Sequence, residues 1–111
     1  MGLYYKSTRN SNLKVTASEA ILKGLAPDGG LFVPSELPKL DVTMSDLKGK
    51  TYQEIAYLVM KQFLTDFTEE ELKNCIDKAY DSKFDTEEIG PLVKVDDTYY
   101  MELFHAATIA F

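Results

Sequence analysis

Few residues of this 111-residue chain have the types and spacing that catalysis needs. His105 is the single histidine, and Thr108 follows it in the same segment. A lone histidine beside an aromatic strand is more often structural than catalytic. No Ser/His/Asp or Cys/His arrangement can be assembled around it, and the chain has no P-loop and no G-x-G-x-x-G motif. The residues by themselves therefore predict an incomplete active site.

Ser7, Thr8 and Arg9 form a second group with chemical potential. Two hydroxyls and a guanidinium can together bind an anion such as phosphate. The same polar run, which continues to Asn12, is also what an ordinary solvated loop at the end of a strand looks like. Both interpretations stay open on these residues alone.

The carboxylates and the single cysteine have simpler explanations. The acidic run 69–71 lies at a predicted helix start, where it complements the helix dipole. Neighbouring side chains on a helix point in different directions, so we expect no metal site there. Cys75 lies on an apolar helical stripe, and we expect it to be buried and unreactive.

Composition narrows the class of protein. The 18 acidic and 12 basic residues give a net charge of -6, which argues against a nucleic-acid partner. No apolar run is long enough for a membrane span, and residues 1–10 lack the order of a secretory signal. One cysteine cannot form an intramolecular disulfide and suits a reducing compartment. We therefore expect a cytoplasmic protein with no membrane contact.

Helix starts are the clearest local signals. The spacing Thr-x-x-Glu, typical of a capping box, occurs at Thr16, Thr51 and Thr68. The first helix should end at Gly24. The next two carry apolar stripes and are joined by only a few residues, which predicts an antiparallel pair at about 52–80 whose facing stripes form the core.

Short apolar segments predict the strands. Leu3 to Tyr5 begins one strand, and residues 31–33 form a buried run after a turn in which Gly29 and Gly30 allow positive φ. Residues 92–95 and 99–104, separated by a turn at 96–97, predict a hairpin. Thr43 begins a single helical turn that ends at Gly49. The predicted fold is α/β (α+β mixed): a small domain with a few short strands packed by two to three helices.

Three stretches together resemble one enzyme family. GLAPDGGLFVP, which follows a helix carrying SEAILK, closely resembles the N-terminal segment of threonine synthases. YYKSTRN and ELFHAATIAF fit the family in the right order. The last stretch is similar to E-L-F-H-G-x-T-x-A-F-K-D, in which the lysine holds pyridoxal phosphate as a Schiff base. These matches span nearly all of the chain.

The resemblance implies that residues 1–111 are the N-terminal domain of a pyridoxal-phosphate-dependent threonine synthase. That carbon–oxygen lyase converts O-phosphohomoserine and water to L-threonine and phosphate. The chain stops one residue before the expected cofactor lysine, and its apolar end is unlike a natural terminus. We therefore expect a fragment that lacks its catalytic domains, is inactive alone and does not bind pyridoxal phosphate. Its expected partners are those domains and a small phosphorylated amino-acid substrate.

By the same resemblance, His105, Thr108 and Phe111 lie near the substrate or cofactor, and the run 7–9 contacts an anion. Ala106-Ala107 stands where the family often has Gly-Pro, which changes the freedom of this loop.

Two alternatives stay open. One is a threonine-synthase-like phospholyase with the same cofactor but a different product. The other is a stand-alone, non-enzymatic interaction module that uses Tyr4, Tyr5, Tyr99 and Tyr100 as its contact surface. The exposure of these tyrosines is what separates the module from the enzyme.

Overall fold

A computed structural model describes residues 2–81 and 90–105 of the chain. Its order of elements is mixed, as predicted. The elements are β1 (Tyr5–Ser7), α1 (Ala17–Lys23), β2 (Phe32–Pro34), a 3-10 turn (Ser45–Leu47), α2 (Tyr52–Phe63), α3 (Glu69–Ala79), β3 (Leu92–Val95) and β4 (Thr98–Met101). The 3-10 turn corresponds to the helical turn predicted from Thr43.

All three predicted capping boxes are present. At Thr16, Thr51 and Thr68 the side chain accepts a hydrogen bond from the backbone N–H three residues later, and the glutamate there bonds back to the cap. Each helix start is therefore set by two reciprocal local bonds. Helix α1 ends at Gly24, whose φ of 73° is in the left-handed region.

Strands β1 and β2 pair antiparallel, with Tyr5 opposite Pro34 and Ser7 opposite Phe32. Tyr5 also bridges to Val15, so the segment before α1 lies along the same strand. The strand begins at Tyr5 rather than Leu3 and extends to Ser7. The predicted buried run at 31–33 is wrong, since Leu31 is 59% exposed and the rest of β2 is only half-buried. A two-stranded ribbon leaves one of its faces uncovered.

Helices α2 and α3 form the predicted antiparallel pair. The Tyr52 and Tyr80 rings lie 5.1 Å apart, and the Gln53 side-chain amide donates to the Tyr80 carbonyl. The start of α2 therefore lies beside the end of α3. Only α3 contributes buried residues, Leu72 and Ile76, to the seam, whereas the predicted α2 stripe is at best half-buried. One neighbouring helix cannot cover all sides of that stripe.

Cys75 corrects another expectation, because it is exposed. Leu72 and Ile76 lie on the side of α3 that faces α2. Adjacent helical residues are rotated by about 100°, so Cys75 lies at the edge of that side rather than within it. The other buried apolar residues, Val15, Ala17, Ala20 and Ala26, belong to the N-terminal half.

Three contacts fasten the N-terminal segment to the α2–α3 end. The Tyr5 hydroxyl donates to the Phe63 carbonyl over 2.8 Å, and the Leu3 N–H donates to Thr65 Oγ1 over 2.8 Å. The Ser18 N–H donates to Asp66 Oδ2 over 3.1 Å, and the Ser18 hydroxyl bonds to the same oxygen. These bonds connect β1 and α1 to the helix pair.

The predicted hairpin is present. β3 and β4 pair with Leu92 opposite Met101 and Val95 opposite Thr98. The turn contains Asp96 at a φ of 54°, which suits a tight two-residue connection. β4 ends at Met101, so the strand predicted for 99–104 is shorter than expected. Within residues 2–81 and 90–105, no helix is both long and apolar enough to cross a membrane.

Candidate functional site

Ser7 is the centre of the polar cluster predicted at residues 7–9. It is the last residue of β1 and is only 2% exposed. Its hydroxyl donates to Asp28 Oδ1 over 2.7 Å and accepts the Arg9 N–H over 3.1 Å. Pairing of β1 with β2 brings Ser7 to the turn that precedes β2, so a buried hydroxyl meets a carboxylate that is distant in sequence.

The Asp28-Gly29-Gly30 turn is shaped to fit against this hydroxyl. Asp28 Oδ1 also accepts the Gly30 N–H over 3.0 Å, which closes a local Asx turn. A Cβ on Gly30 would collide with Ser7 Oγ and would lie 2.9 Å from Thr8 Oγ1. Gly29 has the positive φ predicted for both glycines, at 82°. Gly30 does not, and it is required instead for the close approach of the two segments.

Thr8 and Arg9 also bond to this turn. Thr8 N–H donates to the Leu31 carbonyl over 2.9 Å, and Leu31 N–H donates to Thr8 Oγ1 over 3.0 Å. The Arg9 guanidinium donates to the Asp28 carbonyl over 3.0 Å. The structure therefore brings Ser7, Thr8 and Arg9 together around one turn.

The electrostatics of this cluster are set by Asp28. The hydrogen bond from Ser7, followed by that from the Gly30 N–H, lowers the pKa of the Asp28 carboxyl, which is therefore ionised at neutral pH. The Ser7 hydroxyl hydrogen is donated to this carboxylate and so does not serve an anion. Thr8 Oγ1 accepts the hydrogen bond from Leu31, so the Thr8 hydroxyl hydrogen can still be donated to a ligand. That hydrogen and the remaining N–H groups of Arg9 are the donors that could bind an anion. The anion contact stays a prediction.

His105 lies elsewhere, after the end of β4. Its Nε2 lies 2.9 Å from Glu102 Oε1, and its ring lies against Phe104 with the centroids 4.4 Å apart and the planes tilted by 40°. The imidazole is mostly covered, with 15% of the side chain exposed. Glu102 therefore fixes the orientation of the ring. Thr108 and Phe111 fall outside the described residues, as do Ala106 and Ala107.

A groove between α2 and α3 was not predicted. It encloses about 680 Å³ between the first turns of α2 and the last turns of α3, and its walls include Glu54, Tyr57, Lys73 and Asp77. The Lys73 ammonium lies 4.9 Å from the centre of the Tyr57 ring and 2.6 Å from Glu69 Oε1. Within the described part of the chain, no three His, Cys, Asp or Glu side chains converge as a metal site would require.

Comparison with known proteins settles the family. A sequence profile described as "Threonine synthase N terminus" matches residues 4–80. This chain belongs to that family. The match covers β1 through the end of α3, so the Ser7–Gly30 cluster and the helix pair both lie within the matched segment.

Full-length relatives extend the similarity to the hairpin. Threonine synthase from Schizosaccharomyces pombe is 40% identical over 96% of this chain. The structure of pyridoxal-phosphate-bound threonine synthase from Brucella melitensis superposes with a TM-score of 0.80 at 33% identity over 95% of the chain. The yeast threonine synthase structure gives 0.77 at 34% identity over 93%. The chain spans only about a fifth of the relatives it matches, 21% of the Schizosaccharomyces protein and 23% of the Brucella chain.

The described residues do not fit pyridoxal phosphate by themselves. A Schiff base needs a lysine that can become neutral inside a closed site. No lysine among residues 2–81 and 90–105 is buried. In the α2–α3 groove, the hydrogen bond that Lys73 donates to the Glu69 carboxylate raises the pKa of Lys73, which is the wrong direction for a nucleophilic amine. The Ser7–Gly30 turn is filled by its own side chains.

Sequence reasoning found Ser7, Thr8 and Arg9 but missed their partners. The sequence predicts only a chain reversal at Asp28-Gly29-Gly30. An aspartate two residues before a glycine is the Asx-turn signal that could have pointed to Asp28 as an acceptor. The pairing of that acceptor with Ser7 depends on the β1–β2 register, which no local pattern records.

Proposed function

We propose that this chain is the N-terminal part of an enzyme that converts O-phosphohomoserine and water to L-threonine and phosphate. The observation that carries the proposal is the family match over residues 4–80, joined to a TM-score of 0.80 with a threonine synthase described as bound to pyridoxal phosphate. In this proposal the cofactor and most substrate contacts come from the remaining catalytic domains. The chain spans only 21% of the Schizosaccharomyces relative and 23% of the Brucella chain, which supports that division.

The chain alone is then inactive and needs those domains to act. The proposed enzyme works in the cytoplasm, in keeping with the single, unpaired cysteine. Tyr4, Tyr99 and Tyr100 are exposed and Tyr5 is half-buried, which would also suit an interaction module. In this proposal the exposed tyrosines are instead surfaces that the catalytic domains cover, since the chain spans only 21% of the Schizosaccharomyces relative.

A chimeric enzyme tests the proposal. This chain replaces the matching N-terminal fifth of the Schizosaccharomyces threonine synthase, and phosphate release from O-phosphohomoserine is measured with pyridoxal phosphate present. We expect threonine and phosphate from the chimera and neither product from the chain alone. Phosphate together with ammonia and a 2-oxo acid would instead identify a phospholyase. An inactive chimera beside an active, identically handled parent enzyme would contradict the proposal.

The site residues are part of the same proposal. Thr8 and Arg9 supply donors to the substrate phosphate, and His105, Thr108 and Phe111 lie near the substrate or cofactor. Arg9→Gln in the chimera should raise KM for O-phosphohomoserine with little change in kcat, since a guanidinium contact that is equally strong before and during the reaction acts on binding. Lys39→Gln, which removes an exposed charge outside both the cluster and the hairpin, is the matched control. Equal KM values for the two variants would show that Arg9 does not contact the substrate phosphate.

A further inference from the structure

The Arg9 guanidinium is held against the main chain of the turn at residues 28–30. Arg9 Nη1 donates to the Asp28 carbonyl over 3.0 Å. A Cβ added to Gly29 would lie 2.9 Å from the same nitrogen. The guanidinium therefore lies directly over Gly29, where any side chain would displace it.

A second contact fixes the main chain of Arg9. Its N–H donates to Ser7 Oγ over 3.1 Å, and that hydroxyl donates in turn to Asp28 Oδ1 over 2.7 Å. The same carboxylate oxygen accepts the Gly30 N–H over 3.0 Å, which fixes the shape of the turn. Asp28 therefore holds Arg9 at two points, the backbone through Ser7 and the guanidinium through its own carbonyl.

These contacts are anchored inside the protein, whereas the donors that they hold face solvent. Ser7 and Gly30 are buried. Thr8 and Arg9, by contrast, are exposed. An arginine carries considerable rotamer entropy, and immobilising such a side chain on binding weakens affinity. Because one N–H is enough for the Asp28 carbonyl, the guanidinium is restricted before a ligand arrives and still has donors to offer.

We propose that Asp28 is a positioning residue for the substrate phosphate: it holds the Arg9 guanidinium over Gly29, ready for the phosphate, without contacting the phosphate itself. This inference rests on the proposed function, in which Thr8 and Arg9 donate to that phosphate. A direct contact is disfavoured because the Asp28 carboxylate is ionised and repels an anion. The contribution of Asp28 is therefore geometric.

Two substitutions of Asp28 separate geometry from charge. Asp28→Ala removes the acceptor for Ser7 and Gly30 together with the charge, whereas Asp28→Asn keeps an acceptor oxygen and removes only the charge. In the chimeric enzyme, Asp28→Ala should raise KM for O-phosphohomoserine by roughly 2- to 10-fold at unchanged kcat, because Arg9 must then be immobilised on binding. Asp28→Asn should keep the KM of the unsubstituted chimera or lower it. A KM that is unchanged or lower in Asp28→Ala would overturn the proposal.

Gly29→Ala perturbs the same arrangement without altering Asp28. Its Cβ would displace the Arg9 guanidinium, so KM should rise as it does in Asp28→Ala. Gly24→Ala is the matched control, since Gly24 also has a positive φ but no atom lies within 4 Å of its added Cβ, and its KM should not change. In the Arg9→Gln background, neither Asp28→Ala nor Gly29→Ala should raise KM further. A further rise of the same size there would show that the turn does not act through Arg9 and would overturn the proposal.

Two readouts separate this inference from the proposed activity. An active chimera whose KM responds to Arg9→Gln but to neither Asp28→Ala nor Gly29→Ala would refute the positioning role and leave the enzyme assignment standing. For an inactive chimera, the readout is calorimetric titration with inorganic phosphate. Phosphate affinity that falls in Asp28→Ala and is retained in Asp28→Asn would support the positioning role while the activity proposal fails. Phosphate affinity that is the same in the unsubstituted chimera, Arg9→Gln and Asp28→Ala would overturn the positioning role.

Discussion

Replacing Gly30 by alanine tests whether the fit between β1 and the Asp28–Gly30 turn stabilises the N-terminal half. The added Cβ would collide with Ser7 Oγ and lie 2.9 Å from Thr8 Oγ1 and 3.1 Å from Asp28 Oδ1. Ser7 is 2% exposed and bonded to Asp28, so its oxygen cannot move aside without breaking that bond. The conflict is therefore relieved only if that bond breaks or the two segments move apart.

Two effects determine how much Gly30→Ala lowers the free energy of unfolding. Overpacking of a buried position costs about 1–3 kcal/mol. Displacement of the buried Ser7 hydroxyl from its hydrogen bond adds about 1 kcal/mol. Gly30→Ala should therefore lower the free energy of unfolding by about 2–4 kcal/mol. Ser7→Ala alone should cost about 1–2 kcal/mol, because it removes the same hydroxyl without a collision. In the Ser7→Ala background, Gly30→Ala should then cost at least about 1 kcal/mol less than in the wild type.

Urea unfolding followed by far-UV circular dichroism gives these free energies by linear extrapolation. Gly24→Ala is the matched control, since Gly24 has a φ of 73° but no atom within 4 Å of its added Cβ. Its cost of about 1–2 kcal/mol comes from the left-handed backbone and should be the same in the wild-type and Ser7→Ala backgrounds. If Gly30→Ala costs the same in both backgrounds, the steric reasoning is refuted.

Three smaller predictions concern the contacts that join the elements. Asp66→Asn should weaken the bonds from Ser18 and lower stability by about 1 kcal/mol at pH 7. Desolvation raises the pKa of Asp66, but the Ser18 hydrogen bonds outweigh it and leave the pKa below the ordinary value of an aspartate. The wild-type advantage is thus present above that ordinary value and is lost as the pH falls through the lower folded-state pKa. Tyr5→Phe should cost about 1 kcal/mol by removing the bond to the Phe63 carbonyl. Thr51→Ala should cost about 1 kcal/mol by uncapping α2.

Each of these has its own control. Ser18→Ala removes a donor to the same Asp66 carboxylate and should narrow the pH-dependent gap between wild type and Asp66→Asn; a gap that does not depend on pH would contradict the assignment. For the tyrosine, Tyr4→Phe is a neighbour with an exposed ring, and an equal loss there would show that the Phe63 bond is not the cause. Thr51→Ser keeps the capping oxygen and should retain wild-type stability in urea.

Features that depend on neighbours in sequence were predictable. Each capping box needs only a threonine and a glutamate three residues apart, so all three helix starts were placed correctly. The hairpin was found because its turn and strands are contiguous. Cys75 was misplaced because the apolar period identifies a stripe but not which part of the stripe a single partner helix can cover.

Features that join distant segments were not predictable. Ser7 was recognised as a polar residue, but its burial follows from β1–β2 pairing, and its partner Asp28 lies 21 residues away. Gly30 was assigned to backbone freedom because a glycine's sequence signal is the same whether it serves a positive φ or a close approach. The site beyond His105 depends on segments that the described residues do not include.

The bonds from Leu3 to Thr65 and from Tyr5 to Phe63 span 62 and 58 positions along the chain. On the ribosome, β1 can pair with β2 as soon as Pro34 has emerged, but these bonds must wait for the α2–α3 connection. At about 5–20 residues per second, synthesis from Pro34 to Asp66 takes roughly 2–6 s. During that interval the β1–β2 pair and α1 lack their hydrogen bonds to the α2–α3 connection. Lengthening the linker before Thr51 would prolong this exposure to chaperones and proteases.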